Sequence, residues 1–347
     1  MNTFGINGFG RIGRTAFRIW WMFHRDRIEL KAINTSGSMP VADWVHLLKY
    51  DSNYGVWAEQ VTYTETQKPK EATDENSVIG TISIGGRTIT VTAQRDPAKI
   101  PWGSLGVETV IESTGAFTSA DKAGLHLQGG AQKVIITAPG KGGDIPTNVI
   151  GVNEAPAVGQ IMSNASCTTN CISPVAAIMH SVFGVSKALL STIHSYTDDQ
   201  NLHDNSHRDM RRARGAALSI VPTTTGAAIA TTEVIPELKG LFDGLSMRVP
   251  TPVGSLSDIV FVLKRKTTVE EVNQAFRDAV NQPRWKGILA VSEIGESLVS
   301  KDIVGRRESA IVDLELTQVI DGDLVKVIAW YDNEYGYCNR LIEQVGR

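Results

Sequence analysis

Cysteine is scarce in this chain of 347 residues: Cys167, Cys171 and Cys338 are the only three. So sparse and odd a count excludes the disulfide framework of a small secreted fold, and it points to a reducing compartment, so the expected location is cytoplasmic. A surplus of positive charge is missing too, with 34 Lys and Arg against 37 Asp and Glu. No global field gathers nucleic acid or an anionic membrane, so neither is expected as a partner, and any anion must be caught locally. Apolar runs stop short of a membrane span, as in Ala16 to Phe23, which Arg18 interrupts. The first residues reach Arg11 and Arg14 without the apolar core of a secretory signal. Cys167 and Cys171, four apart, supply too few donors for a metal site. What remains is an ordinary globular composition, 42% hydrophobic and 20% charged, long enough for about two domains.

The first half alternates short apolar strands with amphipathic stretches, as βαβ units do around a mostly parallel sheet. Strands are expected at Thr3–Asn7, Ile28–Asn34, Val107–Glu112 and Lys133–Thr137, a helix at Arg11–Phe23, and a hairpin at Ser77–Ala93 turning at Gly85-Gly86. Between the first strand and the first helix lies Gly8-Phe9-Gly10-Arg11-Ile12-Gly13. In that context G-x-G-x-x-G reads as a dinucleotide turn: Gly8 for the bend, Gly10 for backbone approach to a pyrophosphate, Gly13 for helix–strand packing. The second strand ends Asn34-Thr35-Ser36-Gly37-Ser38, without the carboxylate that grips a ribose 2′-hydroxyl. Neutral hydroxyls there can donate to a 2′-phosphate that a carboxylate would repel, while the absence of an Arg beside Thr35 argues against strict NADP selectivity.

Around residues 160–185 the texture changes, and the domain boundary is expected there. Later segments, Asp258–Lys264, Ala310–Val319 and Leu324–Tyr331, alternate as a half-buried, partly antiparallel sheet does; helices are expected at Thr267–Val280 and Glu334–Val345. Cys167, flanked by Ser166 and Thr168, stands at the mouth of an expected Ile172–Phe183 helix that Pro174 either delays or bends. A thiol in a helix's first turn meets partial positive charge, which lowers its pKa; a buried, inert cysteine is the competing reading. Cys171, one turn on, reads as a small apolar residue. His194 ends the apolar run Leu189–Ile193, at the carboxyl end of a strand where α/β sites gather, although spacing alone does not bring it to Cys167. Arg208, Arg211, Arg212 and Arg214 read as a solvated or subunit-contact face from which one or two can grip phosphate.

These segments, INGFGRIGR, HLLKYDS, ESTG, SNASCTTNC, HSYT, RRAR, PTTTGAA, MRVPTP and WYDNEYGY in that order, closely resemble type I, phosphorylating glyceraldehyde-3-phosphate dehydrogenase over essentially the whole chain. The resemblance implies an α/β fold with two parts. Residues 1–166 form a Rossmann NAD(P)-binding domain, joined by the C-terminal helix 333–347; residues 167–332 form an α+β catalytic domain with a mixed, largely antiparallel sheet. It implies Cys167 as nucleophile and His194 as base. Ser166, Thr168, Thr225 and Gly226 match the inorganic-phosphate site, and Thr197, Arg212 and Arg248 match substrate-phosphate contacts. Arg11, Ile12, Arg95, Thr114, Thr137 and Asn333 match cofactor contacts beside Gly8, Gly10, Gly13, Asn34 and Thr35. Substrates are then a small phosphorylated aldehyde and inorganic phosphate, and the assembly a homotetramer. Thr35 and Ser206 depart from NAD-specific members toward NADP-accepting relatives of the photosynthetic or gluconeogenic kind, which implies NADP with NAD as a second cofactor. Erythrose-4-phosphate dehydrogenase, or a non-catalytic nucleotide sensor, are the alternatives.

Overall fold

A computed structural model describes residues 1–142, 145–154 and 159–347. Six of the eight strands of its first sheet lie where the sequence pattern predicted them, while Ile161–Ser163 and Val61–Glu65 are additional. Strands lie in the order Ile161–Ser163, Lys133–Ile136, Thr109–Glu112, Asn2–Asn7, Ile28–Thr35, Arg87–Ala93, Val78–Ile84, Val61–Glu65. The first six run parallel and the last two pairings are antiparallel, so the expected Gly85-Gly86 hairpin is present, with Val61–Glu65 outside it at the edge. The expected Arg11–Phe23 helix is α-helical only over Arg11–Ile19 and continues as a wider π-type turn, Trp20–His24. That widening accompanies burial of both adjacent indoles: Trp20 donates its Nε1–H to the Ile28 carbonyl, and Trp21 fills the space a side chain on Gly85 would need.

The second sheet has the order Val221–Thr224, Phe242–Val249, Val185–Ser195, Ser255–Leu263, Leu324–Tyr331, Ala310–Asp313, Leu289–Ser292, with Gln318–Ile320 paired to Leu324–Tyr331. Two of its pairings are parallel and the others antiparallel. The expected Ala310–Val319 segment is broken by a short 3₁₀ turn at Leu314–Leu316. Pro222, which brings no N–H to a ladder, sits on the edge strand, where its ring is tolerated. One face of this sheet carries the Cys167–Phe183 helix, whose Cys171, Ile172, Val175, Ala176, Met179 and Phe183 are buried in a single core with Ile259, Phe261, Val325 and Val327. Fully burying side chains of that size contributes roughly 1.5–3 kcal/mol each, which anchors the helix whatever its first turn does.

The chain divides into two compact units, Met1–Thr147 with Pro156–Asn164 and Cys338–Arg347, and Asn148–Ala155 with Ala165–Tyr337. No helix among the described residues is long and apolar enough to cross a membrane.

Candidate active site

In the second unit the helix Cys167–Phe183 begins at the thiol itself, earlier than the sequence pattern suggested. Ser166 is extended and its hydroxyl accepts the Thr169 N–H at 3.1 Å, while the Asn170 side-chain amide donates to the Ser166 carbonyl at 3.0 Å. These contacts hold the first turn without help from Pro174, which lies inside the helix and neither delays nor breaks it. Just before the cap, Ala165 has φ 57, an uncommon conformation for a residue with a Cβ, and so turns the chain sharply into Cys167.

Cys167 Sγ lies 3.3 Å from Nε2 of His194, a buried residue near the end of the Val185–Ser195 strand. The other ring nitrogen, Nδ1, is 2.6 Å from the Ser195 carbonyl. A carbonyl oxygen only accepts, so Nδ1 carries the hydrogen and the neutral ring turns a bare Nε2 toward sulfur. Burial lowers the imidazole to about 3, with the Arg248 and Arg212 charges adding and the Ser195 carbonyl opposing. Burial also pushes the Cys167 thiol up, against Arg248 and Thr168. The helix start and Arg248 favour the thiolate and burial opposes them, so the thiol is raised, the reverse of the direction expected from its helix position alone. Cys171 is fully buried, its thiol directed at the Ala329 carbonyl, as expected of a structural residue.

Strand register brings the next group in. His194 and Arg248 are paired neighbours on parallel strands, and Arg248 Nη1 donates to the Thr197 hydroxyl at 3.1 Å and the Ser195 carbonyl at 3.3 Å. Its Nε is buried without a partner. Arg212 donates from Nε to the Thr223 hydroxyl at 3.0 Å and pairs with Asp199 through Nη1. Thr225 accepts the Ala227 N–H at 3.2 Å beside Gly226, which opens the Ala227–Val234 helix with no side-chain cap. Ser166 and Thr168 were expected to hold an anion; the first caps its helix, and the Thr168 hydroxyl lies 2.9 Å from the Tyr331 hydroxyl.

Tyr331 is a residue of this cluster that the sequence pattern did not single out. Its hydroxyl also meets Thr192 Oγ1 at 3.0 Å and its ring meets His194 edge-on with centroids 6.0 Å apart. Burial pushes its phenol up, so it stays a neutral hydrogen-bonding group. A polar-tipped aromatic ending the buried face of a strand was the available signal. Tyr331→Phe is expected to lower kcat/KM about tenfold through the two lost hydrogen bonds, while Cys167 alkylation shows the thiol intact. Unchanged kinetics would remove Tyr331 from the site.

In the first unit the three glycines have backbone geometries that suit the roles expected of them. Gly8 has φ 95, with Thr114 atoms within 3 Å of where a Cβ would sit; a Cβ on Gly10 meets nothing within 4 Å; one on Gly13 would lie 2.2 Å from the Gly8 carbonyl oxygen. The open face at Gly10 and the uncapped start of the Arg11–Ile19 helix suit a pyrophosphate. Arg11 pairs with Asp51 at 2.9 Å, and Thr137 donates its N–H to the Glu112 carbonyl. In the second unit the Asn333 carboxamide oxygen accepts from the Gly254 N–H and the Ser255 hydroxyl, which orients the amide.

Thr35 is buried and its hydroxyl donates to the Thr92 carbonyl at 3.1 Å, so it is not the phosphate donor its position suggested. The neighbouring strand instead brings up Arg95, whose Nε donates to the Ser36 carbonyl at 3.3 Å, correcting the view that no arginine lies near Thr35. Ser36, Lys70, Thr73 and Arg95 line a pocket of about 320 Å³ there, with Asp74 held by Lys99.

Comparison with known proteins matches both parts of the chain. The family described as "Glyceraldehyde 3-phosphate dehydrogenase, NAD binding domain" matches residues 2–120, and "Glyceraldehyde 3-phosphate dehydrogenase, C-terminal domain" matches residues 166–333. The chain is 48% identical over 342 residues to a glyceraldehyde-3-phosphate dehydrogenase of Streptomyces coelicolor, covering 98% of this chain and 96% of the relative. It is 49% identical over 341 residues to the chloroplastic GAPA1 enzyme of Arabidopsis thaliana, covering 97% of this chain and 81% of the relative.

Proposed function

Because the chain belongs to the glyceraldehyde-3-phosphate dehydrogenase family, we propose that Cys167 carries the oxidation as a thioester with His194 as its base. The enzyme is NAD(P)-dependent, and its reaction is the reversible, phosphorylating oxidation of glyceraldehyde 3-phosphate to 1,3-bisphosphoglycerate. The observation that carries the residue assignment is the 3.3 Å approach of Nε2 to Sγ, with Nδ1 tied to a carbonyl.

Sulfur attacks the aldehyde carbon as Nε2 takes the thiol proton, giving a thiohemiacetal whose oxygen meets the Cys167 N–H and the imidazole. Nicotinamide, when bound, supplies the hydride acceptor. His194 returns that proton to the thiohemiacetal oxygen and takes it back as the carbon gives up its hydride, and a thioester remains on Cys167. Arg248, Thr197 and Arg212 hold the substrate phosphate. Ser166, Thr168, Thr225 and Gly226 hold inorganic phosphate, so the displacement of sulfur is a positioned rather than a chance encounter. Asn333, its oxygen fixed by Gly254 and Ser255, orients the nicotinamide amide.

The nucleotide is held by Gly8, Gly10 and Gly13 with Arg11, Ile12 and Thr137. NADP is accepted beside NAD, because Thr35 leaves the site without a repelling carboxylate while Arg95 and Lys70 bring cations to the pocket beside it. Steady-state rates with NAD and with NADP, each with and without phosphate, test cofactor and acceptor together. Turnover of erythrose 4-phosphate without phosphate, exceeding that of glyceraldehyde 3-phosphate, would favour transfer of the thioester to water. Thr35→Asp is expected to lower the ratio of kcat/KM for NADP to that for NAD by about tenfold or more through charge repulsion; an unchanged ratio refutes this account.

The protein is proposed to be a cytoplasmic homotetramer. Support for assembly comes from exposed Leu202, Met210, Leu218 and Ile220 in the long loop region, with Leu189 and Leu245 exposed on the second sheet. All three cysteines are free, as a reducing compartment keeps them.

A further inference from the structure

Beneath the glycine turn, buried side chains join the carboxyl ends of three neighbouring strands. Register sets Asn34, Asn7 and Glu112 abreast. Glu112 Oε2 accepts from Asn7 Nδ2 at 2.5 Å and from His126 Nε2 at 2.9 Å; Oε1 accepts from the Thr114 N–H at 2.8 Å and from the Thr114 hydroxyl. Trp102 Nε1 lies 3.0 Å from His126 Nδ1, and an indole only donates, so Nδ1 is bare and the hydrogen sits on Nε2, aimed at Glu112. Glu112 is 1% exposed and His126 is fully buried. Four donors on one buried carboxyl group take the place that an Arg or Lys partner usually fills.

We propose that Glu112 is a positioning residue for the nicotinamide nucleotide, acting through Thr114 and Asn7, with His126 holding its carboxylate in place. The inference rests on the reading of Gly8–Gly13 as the nucleotide site. Thr114 forms the wall against Gly8, closer than any side chain there would allow. Between it and Glu112, the Ser113 hydroxyl donates to the Gly8 carbonyl at 2.8 Å, so the strand end clamps the turn from one side. Asn7 extends the grip: its Oδ1 accepts from Asn34 Nδ2 at 2.7 Å, and Asn34 Oδ1 accepts the Gln94 N–H at 3.0 Å, next to Arg95. One carboxylate thereby registers the pyrophosphate turn with the residues proposed to face the ribose. Only a carboxylate offers acceptors to all four donors. The Gln amide, in either orientation, turns an NH₂ against the Thr114 pair or against Asn7 and His126.

Calorimetric titration of NAD and NADP into the full-length, nucleotide-free enzyme tests this with Glu112→Gln, Thr114→Val and Thr114→Ser. Glu112→Gln is expected to weaken both nucleotides about tenfold or more and Thr114→Val about threefold to tenfold, while Thr114→Ser, which keeps the hydroxyl, stays within about twofold. At saturating nucleotide kcat remains within about threefold, the Cys167 alkylation rate is unchanged, and amide exchange of the glycine turn is faster in nucleotide-free Glu112→Gln. Wild-type affinity in Glu112→Gln or in Thr114→Val overturns the proposal. So does a fall in kcat and thermal stability with unchanged affinity, which is what a merely structural role gives. Should Glu112→Gln fail to fold, the Thr114→Val and Thr114→Ser pair decides. A wild-type enzyme that binds neither nucleotide overturns the reading of the glycine turn itself.

Discussion

Cys167→Ser abolishes aldehyde oxidation, lowering kcat by at least about four orders of magnitude in a steady-state nicotinamide absorbance assay. The site is built for a group that gives up its proton during attack. Even the thiol is held above its usual range by burial, and a serine hydroxyl, far less acidic, stays protonated against the same imidazole. Cys171 offers no rescue, being fully buried in the helix core. The fold is expected to survive, because the Ser166 cap and the core residues from Ile172 to Phe183 do not involve Sγ. Turnover within about a hundredfold of wild type moves the nucleophile elsewhere.

His194→Asn slows acylation by roughly 10²–10⁴-fold in single-turnover measurements, since an amide can donate to the Ser195 carbonyl but has no basic nitrogen for sulfur. The Ser195 carbonyl favours the imidazolium, but burial and the Arg248 charge oppose it more strongly, so the proton is borrowed and returned. A stability signature accompanies the kinetic one. The folded imidazole is held at about 3 against an ordinary 6.5, so below 6.5 the unfolded chain binds a proton that the native chain refuses. Wild type therefore loses stability from this group as pH falls from 6.5 toward 3, and the Asn variant does not. Denaturant titrations at about pH 7 and about pH 4.5 should show a shallower acid loss in the variant. Equal slopes would place the imidazole in a more solvated setting.

Much of the nucleotide half was legible because its determinants are local. Gly8, Gly10 and Gly13 shape the backbone through their own missing side chains within one turn, and apolar runs mark the strands except the short Ile161–Ser163 and the exposed Val61–Glu65. His194 was recognisable as a strand end, but its tautomer depends on where the Ser195 carbonyl turns, which composition does not encode. The Arg248 neighbour follows from pairing between strands distant in sequence, as does the Thr35 hydroxyl's attachment to Thr92. The direction of the thiol's pKa shift is illegible for a related reason. Position at a helix start is readable from spacing, whereas the desolvation that opposes it is set by everything packed around the sulfur. Tyr331 escaped notice because its role exists only once three strands and a helix bring Thr168 and Thr192 to its hydroxyl.

The edge strand Val221–Thr224 has a meaning beyond tolerance of its proline. The Pro222 carbonyl lies 3.5 Å from Arg211 Nη1, and the Thr224 carbonyl 3.5 Å from Arg212 Nη2. Residues two apart present their carbonyls on one side, so the outward row has no donor at Pro222 and two acceptors already met by guanidinium. A stray strand seeking to extend the sheet finds an interrupted ladder here, which disfavours templated pairing at this border. Arg212 thus serves two ends. Its loss would remove a cation proposed to hold the substrate phosphate and at the same time leave the Thr224 carbonyl without its guanidinium partner.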